Sequence, residues 1–292
     1  MRETTLELDA VSLRALHWGP KAGPLAVLLH GFPDTAHTWR HLGPRLAEDG
    51  WRVVAPFTRG YAPSGVPRDG SGHVAALMDD AVAIHRLLGG DERAVLVGHD
   101  WGAITANALA AHADSPFSRV AALAVPPFLS LQTPRSLRFL PRQLRNSWYI
   151  AFNQLPVLPE RRADDLVRKL WEDWSPGYDA AEDLPAVLDA FGTPEHRRAI
   201  FGYYRNLVRP LPRVPEAYRQ WQGAEMRMPV VPTLYLHGAQ DGCLDARLAA
   251  LVGPGLPAGS EVHLVEDAGH FLQLEQPGEV GRLVSTFLKG TI

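Results

Sequence analysis

The stretch Val97-Gly98-His99-Asp100-Trp101-Gly102-Ala103 places Gly-x-Asp-x-Gly after an apolar run, Ala94–Val97, and at the start of an alanine-rich helical stretch, Trp101–Ala113. That spacing is a nucleophile elbow, the sharp strand-to-helix turn that holds a reactive side chain clear of the backbone. Serine is the usual occupant of its centre, and here it is Asp100. A serine must lose its proton to a base before it attacks, whereas a carboxylate with an ordinary pKa of about 4 is already an anion at neutral pH. The chemistry therefore moves from acyl transfer toward displacement at a saturated carbon, with an ester to the protein as intermediate.

Outward from the elbow, short apolar runs alternate with amphipathic stretches, the pattern of a parallel sheet flanked by helices. Thr4–Asp9 and Val11–Trp18 read as an antiparallel hairpin at a sheet edge, and Leu25–Leu29 as a strand buried on both faces. Trp51–Ala55 is the next strand. A turn-rich segment, Phe57–Gly72, follows, and then a helix over His73–Leu88 stopped by Gly89-Gly90. After a strand at Arg119–Val125 the texture changes: to about Gln222 the chain is rich in Arg, Pro, Trp and Tyr, with no good strand. Strands return at Thr233–Gly238 and Glu261–Val265, before a last helix near Pro277–Leu288. The reading is one α/β domain of about eight mostly parallel strands, with core segments 1–127 and 223–292 and a helical cap, 128–222, inserted after the sixth strand.

Composition narrows the function. The chain has 292 residues, 46% of them hydrophobic, enough for a substantial core, and a net charge of −3 gives no reason to expect nucleic acid as a partner. The acidic start lacks a signal-peptide pattern, and no apolar run approaches the ~18 residues of a membrane span. A single cysteine, Cys243, excludes an internal disulfide, fits a reducing cytoplasm, and reads as a small buried hydrophobe.

Four segments fall at the carboxyl ends of predicted strands, the edge where open α/β sheets bind ligands. Besides the elbow they are His30-Gly31-Phe32-Pro33, Leu236-His237-Gly238-Ala239-Gln240-Asp241, and Glu266-Asp267-Ala268-Gly269-His270-Phe271-Leu272. The backbone N–H groups of Phe32 and Trp101 form a candidate oxyanion hole. Asp100, Asp241 and His270 follow the order nucleophile, acid, histidine used by elbow enzymes.

With these motifs the chain resembles the epoxide hydrolase and haloalkane dehalogenase branch of the α/β-hydrolases over essentially its whole length. The resemblance implies an aspartate nucleophile, Asp100, and an Asp241/His270 pair. It also implies a helical cap carrying two tyrosines that hydrogen-bond an epoxide oxygen. Tyr149 in Ser147-Trp148-Tyr149-Ile150-Ala151-Phe152-Asn153-Gln154-Leu155-Pro156 and Tyr204 in Tyr203-Tyr204-Arg205-Asn206 match those tyrosines. Two departures weigh against dehalogenation: Phe32 stands where haloalkane dehalogenases carry a halide-binding Asn, and no Arg follows Asp100 as in fluoroacetate dehalogenases. A third departure, Phe57 in place of the acid of an Asp-x-Arg-Gly loop, concerns loop packing.

The expectation is a cofactor-independent, metal-free hydrolase that opens a small apolar epoxide with water, its pocket walled by Phe32, Trp101, Trp148, Phe152 and Phe271. The alternatives are a haloalkane or haloacid dehalogenase and a non-catalytic ligand receptor; a homodimer is left open. Other residues receive blander readings. His17 and His263 lie in strands, His99 packs under the elbow, Tyr203 is core, and Arg135, Arg138, Arg142 and Arg145 form a solvated helix face.

Overall fold

The computed structural model describes residues 1–209 and 214–290; of the expected cap, 210–213, and of the core, 291–292, lie outside the described residues. Eight strands form one sheet among the described residues: β1 (Arg2–Glu7), β2 (Ser12–Trp18), β3 (Leu25–Leu29), β4 (Arg52–Pro56), β5 (Val95–His99), β6 (Arg119–Leu123), β7 (Thr233–Gly238) and β8 (Glu261–Val265). Their order is β1-β2-β4-β3-β5-β6-β7-β8. The β1/β2 and β2/β4 pairs are antiparallel and every other pair is parallel. β3 and β5 are buried along their whole length because helices cover both faces, which is why they read as unbroken apolar runs.

One face of the sheet is packed by α2 (Val74–Leu87) and α3 (Trp101–Ala110), the other by α1 (Leu42–Glu48) and α11 (Pro277–Lys289). α1 has no counterpart in the sequence reading. Gly43 and Pro44 mask its periodicity, yet Pro44 sits in the first turn, where no amide has an intrahelical partner to lose. β1 begins two residues earlier than expected because Arg2 pairs with His17 across the hairpin. α3 stops at Ala110, three residues short of the expected end, where the N–H groups of Ala111 and His112 turn back onto the last carbonyls.

Between β6 and β7 the described residues form helices and turns but no strand: α4 (Leu140–Asn146), α5 (Trp148–Phe152), α6 (Leu158–Arg161), α7 (Ala163–Trp174), α8 (Leu184–Ala190) and α9 (Pro194–Val208). They lie over the carboxyl edge of the sheet, where Trp171 Nε1–H donates to the Pro33 carbonyl at 2.7 Å. The N–H groups of Gly242 and His270 both donate to the Trp174 carbonyl, at 3.1 and 3.0 Å. The C-terminus of α7 is thus fastened to the loops after β7 and β8. A short helix, α10 (Leu272–Glu275), closes the last loop; its Glu275 accepts from Ser175 Oγ at 2.6 Å and from the Gly269 N–H at 2.7 Å. No helix among the described residues is long and apolar enough to cross a membrane.

Candidate active site

The elbow is built by its glycines. A Cβ on Gly98 would collide with the carbonyl of Gly102, and one on Gly102 with the carbonyl of Leu29, so β5, α3 and β3 converge only because both positions lack a side chain. Asp100, between them, has φ 52° and ψ −114°, an uncommon backbone for a residue with a Cβ. The turn is held by Asp100 N–H donating to the Leu123 carbonyl at 3.2 Å and by Ile104 N–H donating to the Asp100 carbonyl at 2.9 Å. Its side chain is buried beneath the inserted helices.

Three charged groups meet there. Asp100 Oδ1 accepts the backbone N–H of Phe32 at 2.7 Å, and its Oδ2 lies 3.6 Å from His270 Nε2. His270 Nδ1 lies 3.0 Å from Asp241 Oδ2, while Asp241 Oδ1 accepts the N–H groups of Cys243 and Leu244 at 2.7 and 3.0 Å. Burial opposes a charge on His270, but Asp241 and then Asp100 outweigh it and raise its pKa from 6.5 to about 10. Burial likewise works against the Asp241 carboxylate, and the facing His270 overcomes it, leaving that pKa below the usual value.

Above Asp100 is a partly open cavity of about 100 Å³ lined by Asp100, Trp101, Tyr149, Tyr204, Cys243 and Leu207, among others. The rings of Tyr149 and Tyr204 meet edge to face with centroids 5.4 Å apart, and Tyr204 also abuts Phe32 and Trp101 at 5.0 and 5.3 Å. The Tyr149 hydroxyl lies 3.5 Å from Cys243 Sγ, whereas the Tyr204 hydroxyl is buried without a hydrogen-bond partner. Burial pushes both phenols well above 10, so both keep their protons at neutral pH. Arg205, next to Tyr204, pairs with Glu160 at 2.6 Å and donates to the Asn153 and Leu155 carbonyls at 3.1 and 3.0 Å, clamping α9 to the segment that carries Tyr149.

The expected pocket wall is corrected in part. Trp101 lines the cavity, but Phe32, Trp148, Phe152 and Phe271 do not. Phe32 backs Tyr204 from behind. Trp148 and Phe152, four residues apart on α5, pack on each other, with Trp148 36% exposed. Phe271 is stacked on Trp171 at 3.8 Å and supports His270 from outside the cavity. Cys243, Leu207 and Gln143 line it instead; they lie outside the recognisable motifs, and only the fold brings them to it.

Other groups shape the surroundings. His99 Nε2–H donates to the His270 carbonyl at 2.9 Å, as a packing residue under the elbow would. Asp34, absent from the sequence reading, is buried with Oδ2 unpartnered and 3.8 Å from His99 Nδ1; desolvation lifts its pKa to about 8. The loop in which Phe57 replaces an acid is held by Arg59, buried and bidentate to Asp80 at 2.6 Å on both arms, while the Arg59 carbonyl accepts from Tyr203 Oη–H at 2.7 Å. Asp241, Cys243 and His270 place three metal-type donors close together, but Asp241 and His270 are bound to each other and burial raises the Cys243 thiol well above its usual range. With the thiol and His270 both held protonated at neutral pH, that set does not suit a metal, whose ligands must be deprotonated.

A buried aspartate at an elbow, faced by a histidine–aspartate pair on a mostly parallel sheet, defines an α/β-hydrolase. The chain belongs to the α/β-hydrolase fold family, which it matches over residues 24–277, and falls within it among the epoxide hydrolases. Epoxide hydrolase A of Mycobacterium tuberculosis is 32% identical over an alignment of 326 residues covering 99% of this chain and 97% of that one. Epoxide hydrolase 3 of Xenopus tropicalis is 31% identical over 289 residues, covering 93% of this chain and 73% of the other. The crystal structure of epoxide hydrolase A from Mycobacterium thermoresistibile superposes with a TM-score of 0.76 at 27% identity, over 99% of this chain and 98% of that one.

Proposed function

We propose that this hydrolase converts an epoxide to a vicinal diol through a covalent ester on Asp100, with residues 128–222 acting as the cap. The observation that carries the reading is the pair of protonated, buried phenols in the same cavity as the Asp100 carboxylate, one of them without a partner. Opening the ring turns an ether oxygen into an alkoxide, which needs a proton donor; a departing halide does not.

In the first step Asp100 Oδ2 attacks a ring carbon, the C–O bond breaks, and Tyr149 and Tyr204 stabilise the oxygen, one delivering its proton. The ester removes the Asp100 charge. That charge is one of the causes holding His270 protonated, so alkylation moves His270 toward its basic form, and the proton it gives up restores the tyrosine that donated in the first step. In the second step His270, oriented by Asp241, takes a proton from water as the water attacks the ester carbonyl. The oxyanion then develops on Asp100 Oδ1, which already accepts the Phe32 N–H, and the Trp101 N–H is assigned as the second donor; one such donor is worth roughly 3–4 kcal/mol. The tetrahedral species collapses by breaking the bond between the carbonyl carbon and Oδ2, the proton of its new hydroxyl passes to the departing alkoxide, and the diol leaves. Asp100 is again a carboxylate, carrying one oxygen from water, and His270 is again protonated.

The residues lining the cavity around Asp100 are largely apolar, which suits a small apolar epoxide. His270→Gln should accumulate an epoxide-derived ester on Asp100, seen by mass spectrometry of the intact chain and its peptides. Full turnover in that variant, with no adduct, would sink the scheme. Halide release from a chloroalkane or fluoroacetate without epoxide turnover would favour the dehalogenase instead.

A further inference from the structure

From Ser115 to Pro159 the chain contains no Asp or Glu, yet it carries Arg135, Arg138, Arg142 and Arg145. All four are exposed. Among the described residues the one carboxylate paired with any of them is Asp245, buried and held by Arg247, with Arg142 Nε 3.8 Å away. Through the same segment Leu137, Leu140, Leu144 and Trp148 recur three and four residues apart, and they are 65%, 46%, 64% and 36% exposed. This is the reverse of an ordinary surface helix, whose apolar stripe faces the core. α4 has no buried residue.

The segment is turned outward by its anchors. Phe139 is buried between the guanidiniums of Arg138 and Arg247, 4.5 and 4.7 Å from its ring, and Gln143 donates to the Cys243 carbonyl at 3.0 Å and accepts from the Asp245 N–H at 3.1 Å. With Phe139 and Gln143 held inward, the leucines must point to solvent. The same segment borders the cavity above Asp100 through Gln143 and Ser147, and Leu207, 40% exposed, lines that cavity together with Phe128, Leu131 and Ile150.

We propose that this face docks on the surface of an anionic lipid bilayer. Leu137, Leu140, Leu144 and Trp148 would enter the boundary between headgroups and acyl chains, with the arginines on lipid phosphates. The charge pattern disfavours a second copy as the occupant. A two-fold contact would set this face against itself, arginines opposite arginines, with no carboxylate of the segment to balance them. Docking in this way sets the Asp100 cavity against the phase into which apolar substrates partition.

The test is flotation of the full chain with vesicles of phosphatidylcholine alone and of phosphatidylcholine mixed with phosphatidylglycerol. Binding to the mixed vesicles should be stronger by roughly tenfold or more and should fall as salt rises. Two variants, Leu137→Glu with Leu144→Glu and Arg135→Gln with Arg145→Gln, should each lose it while keeping the wild-type circular dichroism spectrum. Their turnover of a water-soluble epoxide in vesicle-free buffer should be unchanged; flotation does not depend on that activity, so failure of the proposed reaction and failure of docking are read separately. Equal flotation with both vesicle types, or none with either, overturns the proposal. So does a dimer in solution that the Leu137→Glu, Leu144→Glu variant dissociates, which would assign the face to a second copy.

Discussion

The backbone N–H of Phe32 donates to Asp100 Oδ1 at 2.7 Å, so the amide that the proposed reaction assigns to the oxyanion already holds the carboxylate at rest. In the proposed reaction that leaves Oδ2, 3.6 Å from His270 Nε2, as the attacking atom. Gly31 protects this arrangement, since a Cβ there would strike the Asp100 carboxylate and the Trp101 amide. Gly31→Ala should lower kcat on the order of 100-fold, the effect of displacing a reacting group by about 1 Å. Steady-state kinetics on a variant with near-native melting would check it, and an unchanged kcat would refute this use of Gly31.

Tyr149→Phe and Tyr204→Phe should each slow ester formation by roughly 10²–10⁴-fold, the range of general-acid contributions. Their effects should not simply add, because the rings touch and serve one oxygen. Rapid-mixing measurement of ester appearance, made in the His270→Gln background, isolates that step. If only ester breakdown slows, the phenols act elsewhere.

The pH dependence of stability follows from His270. Its folded pKa, about 10, lies above the ordinary 6.5, so the folded chain holds a proton that the unfolded chain has released. Its contribution is full below 6.5 and is lost as pH rises through about 10. The wild-type Tm should therefore fall across that window, and more steeply than in His270→Gln, as followed by calorimetry at matched ionic strength. Parallel Tm curves would mean the imidazolium adds no stability.

Arg59→Ala should destabilise the chain by roughly 3–5 kcal/mol, because it leaves the buried Asp80 without its bidentate partner. Replacing both residues, Arg59→Met with Asp80→Leu, should recover part of that loss. Chemical denaturation of the single and double variants gives the comparison; a single variant within about 0.5 kcal/mol of wild type would be at odds with the buried pair.

Most of the sheet was readable along the chain because β3, β5, β6 and β7 are covered on both faces, and full burial forces unbroken apolar runs. α1 escaped because its first turn tolerates Gly43 and Pro44, residues that normally signal a break. At the candidate site, the turn that carries Asp100 was legible through the glycines it requires, and the positions of Asp241 and His270 through their places just past strands. Phe271 misled: it neighbours His270 in sequence, but its ring turns away to stack on Trp171.

The sequence by itself determined the order of strands and helices, the elbow, and the residue types that gather at one sheet edge, since these depend on periodicity and on local backbone demands. Only the tertiary structure decided which residues of the inserted helices look into the cavity and which look out. A helical repeat defines a stripe but not its neighbour. On α5 the stripe bearing Tyr149 faces Asp100 and that bearing Trp148 does not. On α4 the anchors Phe139 and Gln143 turn a leucine stripe to the surface that spacing alone would have assigned to the core.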